Sequence, residues 1–314
     1  MNRVFFLALK ILIFILMSWF IIDQLFLKND FKAQLSLCLQ HLNGDKFYLF
    51  ILAILLMPLN WGLETLKWKI LLRSQVPFST LLQSVIAGIT VGFVTPGRSG
   101  EFIGRVMFLN DDNRSKVFYL SSIGGLAQTA ASLVIGITFV LVWRNDLFIT
   151  EIVIGSTLLY LFAFFRFDLL NRFISKWPFL QRYGLIIEQG DLPMVTTQLW
   201  VMLLSLLRFT VYLLQYVLLL SFLGIDISNL ALFTHSTVYL LAQTFSPLMP
   251  LLDFSYRGAT ALYVFHNISN NNIAILSAVM MVWLINLVIP AIIGYLFILH
   301  RKAIRIPWFG GDMF

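Results

Sequence analysis

The chain has 314 residues, of which 59% are hydrophobic and only 12% charged. Soluble domains are roughly 45–50% apolar and about 25% charged, so this composition excludes a soluble globular protein and specifies an integral membrane one. The formal charge of +7 is then expected to set membrane orientation rather than to bind nucleic acid, and the single cysteine, Cys38, excludes an intrachain disulfide and a cysteine metal cluster.

A spanning helix needs about 20 mostly apolar residues. In chain order such segments fall near 4–26, 47–66, 117–142, 147–165, 195–223 and 273–299. The first follows Arg3 and is not closed by a small-x-small cleavage site, so it reads as an uncleaved span rather than a signal peptide. Two further apolar stretches, 81–95 and 230–252, are interrupted by proline or glycine where a helix should continue. Broken backbone at membrane depth is tolerated only where protein buries it or a watery cavity meets it. Each is therefore expected to form a re-entrant hairpin. Residues 166–194, with Trp177, Pro178, Phe179 and Leu180 among basic residues, predict either a surface amphipathic helix or a plain connecting loop.

Basic residues orient the spans. With the N-terminus inside, Arg3, Lys67, Lys69, Arg73, Arg114, Lys116, Arg166, Arg172, Lys176, Arg182 and the cluster His300–Arg305 all fall on the cytoplasmic side. This satisfies the positive-inside rule only if the two broken stretches enter from opposite faces. Both termini are then cytoplasmic.

The first broken stretch leads into GFVTPGRSGEFIGRV, residues 92–106. Here Pro96 precedes Glu101, and Arg105 follows four residues later. In the second, FSPLMPLLDFSYRGATALYVF, Pro247 and Pro250 precede Asp253, and Arg257 follows four residues later, beside Gly258. Acid and arginine at i,i+4 share a helical face and can pair. Opposite entry and matching motifs are the pattern of an inverted repeat, whose substrate sites lie near the midplane beside broken helix ends. The expected fold is a single all-α polytopic membrane domain over 1–314. It has about six full spans and two re-entrant broken-helix hairpins, with 1–143 and 147–305 as inverted halves.

Ionisable residues at membrane depth are functional candidates. Arginine grips phosphate through its planar fork. Gly97 and Gly100 let backbone N–H groups approach an anion, and residue 101 is expected to open a helix whose positive end favours one. Arg98, Arg105 and Arg257 would then line a path for a phosphate-bearing headgroup, with Glu101 and Asp253 holding the arginines when it is absent. The same pairs also read as plain structural locks, and the sequence supports both readings. Asn60, Glu64 and Lys67 share a face of the second span, as a further part of the site or as a snorkelling helix end. Trp61 and Trp68 suit an interfacial belt. Arg208, mid-span with no acid near it in sequence, requires a partner from another helix or an anionic ligand. Gln128, Gln215 and Gln243 read as interhelical hydrogen-bond glue, and Gly124, Gly125, Ala130, Ala131, Ser132 and Gly136 as a packing face.

Gly97-Arg98-Ser99-Gly100 matches the GxSG of rhomboid intramembrane proteases. That resemblance implies Ser99 as a nucleophile, activated by a histidine such as His235 or His266. The chain has neither HExxH nor GxxxxGK[ST], so no metal, ATP or other cofactor is expected.

The run VTPGRSGEFIGRV, with NWGLETLKW before it, resembles the integral membrane region of the lysylphosphatidylglycerol synthases, a family that includes stand-alone flippase-like bacterial proteins. Pro96, Gly97, Gly100, Glu101 and Arg105 match its Pro-Gly-x-x-Gly-(Glu/Asp)-x-x-x-Arg pattern. Asp253, Arg257 and Gly258 resemble its second motif in a diverged form. The resemblance implies a multi-pass protein of the bacterial cytoplasmic membrane that moves or binds a lipid with an anionic headgroup, without covalent chemistry. Because the chain ends at Phe314, the soluble aminoacyl-transferring domain of the synthases is expected to be absent. Two alternatives stand beside the translocase: an intramembrane serine hydrolase using Ser99, and a noncatalytic subunit of an envelope-synthesis complex. Partners would be the lipid and either a second copy of the chain or an envelope enzyme.

Overall fold

The computed structural model describes residues 44–73, 75–109, 114–143, 147–174, 176, 193–225, 227–246 and 253–300, with isolated positions before residue 44. Nearly all of the expected first span at 4–26, Cys38, Pro247, Pro250 and residues 177–192 lie outside the described residues.

All regular structure among the described residues is helical. The helices are α1 (Phe47–Leu72), α2 (Phe78–Phe93), α3 (Glu101–Val106), α4 (Arg114–Trp143), α5 (Leu147–Phe165), α6 (Phe167–Ile174), α7 (Val195–Phe222), α8 (Asn229–Thr244), α9 (Phe254–Phe265), α10 (Asn272–Trp283) and α11 (Ile289–His300). A 3-10 turn, Pro96–Arg98, joins α2 to α3, and a π-helical segment, Leu284–Val288, fuses α10 to α11. Among the described residues four helices are long and apolar enough to cross a membrane: Phe47–Leu72, Lys116–Val140, Val195–Phe222 and the continuous Asn272–His300. A fifth candidate, Thr150–Phe165, bends by 82° into Phe167–Phe173. These five coincide with the five expected spans that the described residues cover. The chain is a multi-pass membrane protein.

The bundle is apolar inside and out, as a membrane solvent requires. Leu55, Leu59, Leu158, Phe162 and Leu203 all face outward. Two buried clusters hold it together. Phe209, Tyr216, Phe222, Tyr239, Phe265 and Val279 anchor the larger, and Trp68, Leu81, Tyr119, Leu120 and Phe164 the smaller.

The first broken stretch forms a hairpin. After α2 the chain reverses through the 3-10 turn, and α3 folds back along α2. Small residues permit this closeness. A Cβ on Gly104 would run into the backbone carbonyl of Ala87, and one on Gly88 would press on Arg105 Cγ and the Glu101 carbonyl. Ser84 Oγ donates to the Arg105 carbonyl at 2.9 Å across the same seam. On the other side of α2, Thr90 Oγ1 donates to the Ala291 carbonyl of α11 at 3.0 Å. Gly294 admits α2 there, since a Cβ would strike Thr90. The second broken stretch holds two helices, α8 and α9. Helix α8 has 16 residues, as α2 has. Helix α9 starts beside Asp253 as α3 starts at Glu101, and Tyr256 Oη donates to the Ala242 carbonyl of α8 at 2.9 Å.

Candidate functional site

The site begins on α1. Asn60, Glu64 and Lys67 recur at i, i+4 and i+7 and occupy one helical face. That face turns into the bundle: Glu64 is 4% exposed and Lys67 only 2%. The snorkelling expectation is therefore wrong, and Lys67 does not serve as a cytoplasmic loop charge. Its Nζ donates to Glu64 Oε2 at 2.7 Å and to the Gly124 carbonyl at 3.4 Å.

Glu64 is the hub. Arg105 Nη2 donates to Glu64 Oε1 at 2.7 Å, and Arg208 Nη1 donates to Glu64 Oε2 at 2.5 Å. Arg208 Nε also donates to Asn60 Oδ1 at 2.6 Å. The partner that Arg208 lacked in sequence thus arrives from α1. The expected Glu101–Arg105 pair exists but is the longer contact, at 3.4 Å. Glu101 holds Arg98 more closely, at 2.5 Å. Glu64, not Glu101, is the principal holder of Arg105, because the hairpin turns Arg105 inward while Glu101 stays near the mouth. Trp68 is fully buried and its ring lies 4.8 Å under the Arg105 guanidinium. It makes a cation–π contact instead of sitting in an interfacial belt.

The 94–100 loop departs from expectation in one respect. The N–H of Arg98 donates to the Thr95 carbonyl, that of Ser99 to the Pro96 carbonyl and that of Gly100 to Thr95 Oγ1 at 2.8 Å. These donors are used inside the loop, so Gly100 does not offer its N–H to an anion. Gly97 and Arg98 both have positive φ, 56° and 58°. Glycine adopts this freely, whereas arginine there is held by its surroundings. The loop's charged contribution to the site is the Arg98 side chain, 40% exposed.

In the second half, Arg257 Nη2 donates to Asp253 Oδ2 at 2.7 Å, as the spacing predicts. Ser246 Oγ donates to Asp253 Oδ1 at 2.8 Å. Gly258 is buried within α9. Pro247 and Pro250 lie outside the described residues.

A cavity of ≈ 520 Å³ joins the two halves. Five cations line it, Lys67, Arg98, Arg105, Arg208 and Arg257, against two carboxylates, Glu64 and Glu101. The fold thus brings Arg98, Arg105 and Arg257 to one cavity together with the α1 cluster of Asn60, Glu64 and Lys67 and with Arg208. Asn286 was not anticipated. The π-helical segment carries it to the cavity, where it accepts from Asn60 Nδ2 at 3.3 Å and donates to Gln215 Oε1 at 2.9 Å. A π-bulge, frequent at functional sites, leaves no signature in an apolar run. Gln215 is glue as expected, donating to the Ala53 carbonyl. Gln243 is not: both its amide atoms are buried without a partner, and the residue lines the cavity. Part of the supposed packing face, Gly124, Gly125 and Ser132, also borders it. Ser99 lines the cavity, but neither His235 nor His266 does. His235 Nδ1 lies 2.8 Å from the carbonyl of Ala231 on its own helix, and His266 is exposed. Among the described residues no cluster of His, Cys, Asp and Glu could hold a metal ion.

The sequence pattern of the family described as the lysylphosphatidylglycerol synthase TM region matches residues 7–294. No curated protein matches the chain, and no solved structure does.

Proposed function

Because the chain belongs to the lysylphosphatidylglycerol synthase TM region family, we propose that it is a translocator that carries a phosphate-headgroup lipid across the bacterial cytoplasmic membrane without covalent chemistry. One observation carries this reading: a cavity inside a membrane bundle lined by five cations, which Glu64, Glu101 and the Asp253 paired to Arg257 do not fully offset. Such an excess is costly at membrane depth unless an anion completes it. A phosphodiester meets the need through charge-assisted, bidentate arginine contacts.

The residues divide the work. Lys67 and Arg105 are buried and tied to Glu64, so they set the potential. Arg208 and Arg98 are the partly exposed ones, 20% and 40%. They exchange their carboxylates for the phosphate, and Glu64 and Glu101 recapture them when the headgroup leaves. The acyl or prenyl tails stay in the bilayer while the headgroup passes. The α2–α3 and α8–α9 hairpins act as the paired elements of an inverted repeat around the cavity. The equal lengths of α2 and α8, 16 residues each, and the acid–arginine starts of α3 and α9 support that relation.

Purification in mild detergent, followed by mass spectrometry of co-purifying lipids, tests the proposal. A phosphate lipid enriched over bulk membrane in the wild type should fall about tenfold in Arg208→Gln, the loss expected for one charge-assisted contact. In vesicles, Arg105→Ala should abolish headgroup movement while inserting normally. Equal lipid content and equal movement in both variants would remove the proposal's basis.

A further inference from the structure

Helix α6 lies outside the site: none of its residues lines the cavity. It leaves α5 at an angle of 82°. The bundle fixes this bend from two sides. Gln198 Nε2 of α7 donates to the Phe164 carbonyl at 2.9 Å, and the buried Phe167 ring meets the edge of Tyr119 on α4, with 6.0 Å between centroids. Helix α5 is a span candidate whose Leu158, Leu159 and Phe162 face outward. A helix held at nearly a right angle to a span runs along the membrane surface rather than through it.

The sequence of α6, FDLLNRFI, suits that position. Around the helix, Phe167, Leu170, Phe173 and Leu169 follow one another in a continuous apolar arc, opposite Asp168 and Arg172. Only the first part of the arc is covered by protein: Phe167 and Leu170 pack on the smaller buried cluster. Phe173 and Leu169 continue it away from the bundle, 62% and 38% exposed. The charges at the edge of the arc are of one sign in the main. Arg166, Arg172 and Lys176 are exposed, and Asp168 is the one acid among residues 166–176. Its contact with Arg166 is an exposed pair of 3.3 Å, weak enough to be exchanged for another anion.

We propose that α6, with Arg166 and Lys176 at its ends, is a second lipid-binding element, which docks on the anionic headgroup layer of the leaflet that α5 leaves. Phe173 and Leu169 enter the acyl boundary, and the three cations lie among the phosphates. The partner is a charged membrane surface and not a single lipid held in a pocket, because net charge and an exposed apolar edge recognise it. On the orientation expected from the basic residues, this is the cytoplasmic leaflet. The proposal is independent of what the cavity carries.

Amide hydrogen exchange of residues 167–174 tests it, in the full chain placed in phosphatidylcholine nanodiscs with and without phosphatidylserine. In the wild type, phosphatidylserine should slow this exchange about fivefold or more, the effect of one basic residue or more at an anionic surface. Arg166→Gln, Arg172→Gln and Lys176→Gln combined should abolish the slowing. Arg166→Lys with Arg172→Lys should keep it, since the layer reads charge; all these side chains are exposed, so the fold does not depend on them. Phe173→Ser should speed exchange in both lipids. Equal exchange with and without phosphatidylserine in the wild type overturns the proposal, as does slowing that persists in the triple glutamine variant. Protection in phosphatidylcholine alone that appears only with two copies of the chain in a disc assigns the face to a second copy, and also overturns it.

Discussion

Glu64 is one carboxylate serving three cations, Lys67, Arg105 and Arg208. Glu101 serves Arg98 and, more distantly, Arg105, and is 23% exposed. The two acids lie side by side in the site yet differ in consequence. Removing the charge of Glu64 leaves three cations facing one another in a buried space, a change of the kind that costs about 3–5 kcal/mol. Removing that of Glu101 releases chiefly Arg98, whose side chain reaches water and costs about 1 kcal/mol or less. In detergent, Glu64→Gln should therefore melt far below wild type and Glu101→Gln close to it. Similar melting of the two would show that the hub carries no special load. Trp68 adds a smaller term beneath Arg105, and Trp68→Leu, which keeps the apolar bulk, should lose about 0.5–2 kcal/mol from the cation–π contact.

The helical hairpin of α2 and α3 shows why glycine recurs in the motif, and the reason differs at each position. At Gly97 a Cβ would meet nothing within 4 Å, but φ is 56°. At Gly104 the backbone is ordinary helix, and the obstacle is the Ala87 carbonyl of the opposite helix. Gly97→Ala thus carries only a left-handed backbone cost of about 1–2 kcal/mol. Gly104→Ala must part the two helices, which overpacking data put at about 1–3 kcal/mol or more. It also moves Arg105, the next residue, away from Glu64. Gly104→Ala should therefore abolish lipid retention, while Gly97→Ala should lower thermal stability and preserve retention. Loss of retention in Gly97→Ala with none in Gly104→Ala would reverse this assignment. The kink at Arg166 belongs to the same scale. A span and a strongly amphipathic helix meet at 82°, where Arg166 Nε donates to Asp168 Oδ1 at 3.3 Å. Both side chains are exposed, so the pair marks the bend without contributing much to its stability.

On the scale of the whole molecule, side chains from both broken stretches and from α1, α4 and α7 line one cavity. The distribution of basic residues expects both termini on the cytoplasmic side, with Cys38 in the first external loop. A membrane-impermeant maleimide should label Cys38 on intact cells whose outer barrier has been opened. Labelling only after permeabilisation would invert the expected orientation.

The sequence by itself determined the membrane class, the positions of the spans within the described residues, the two breaks and the acid–arginine spacing at each. These are local properties: a run of apolar residues is a span wherever it occurs, and residues four apart share a face in any helix. It also singled out the charged residues that line the cavity, because charged groups are conspicuous in so apolar a chain. Their partners were another matter. Glu64 meets Arg105 across 41 residues and Arg208 across 144, so nothing in either neighbourhood announces the pairing. Adjacent spacing suggested Glu101 for Arg105 and left Arg208 without a partner. The tertiary structure alone decided that α1, α3 and α7 converge on one carboxylate, that Trp68 lies beneath an arginine, and that the π-helical segment carries Asn286 to the cavity. It also left Gln243 with nothing to bond. Burial is the reason: it removes water as the default partner, so each polar group must take whichever neighbour the packing supplies, and packing is a property of the folded chain as a whole.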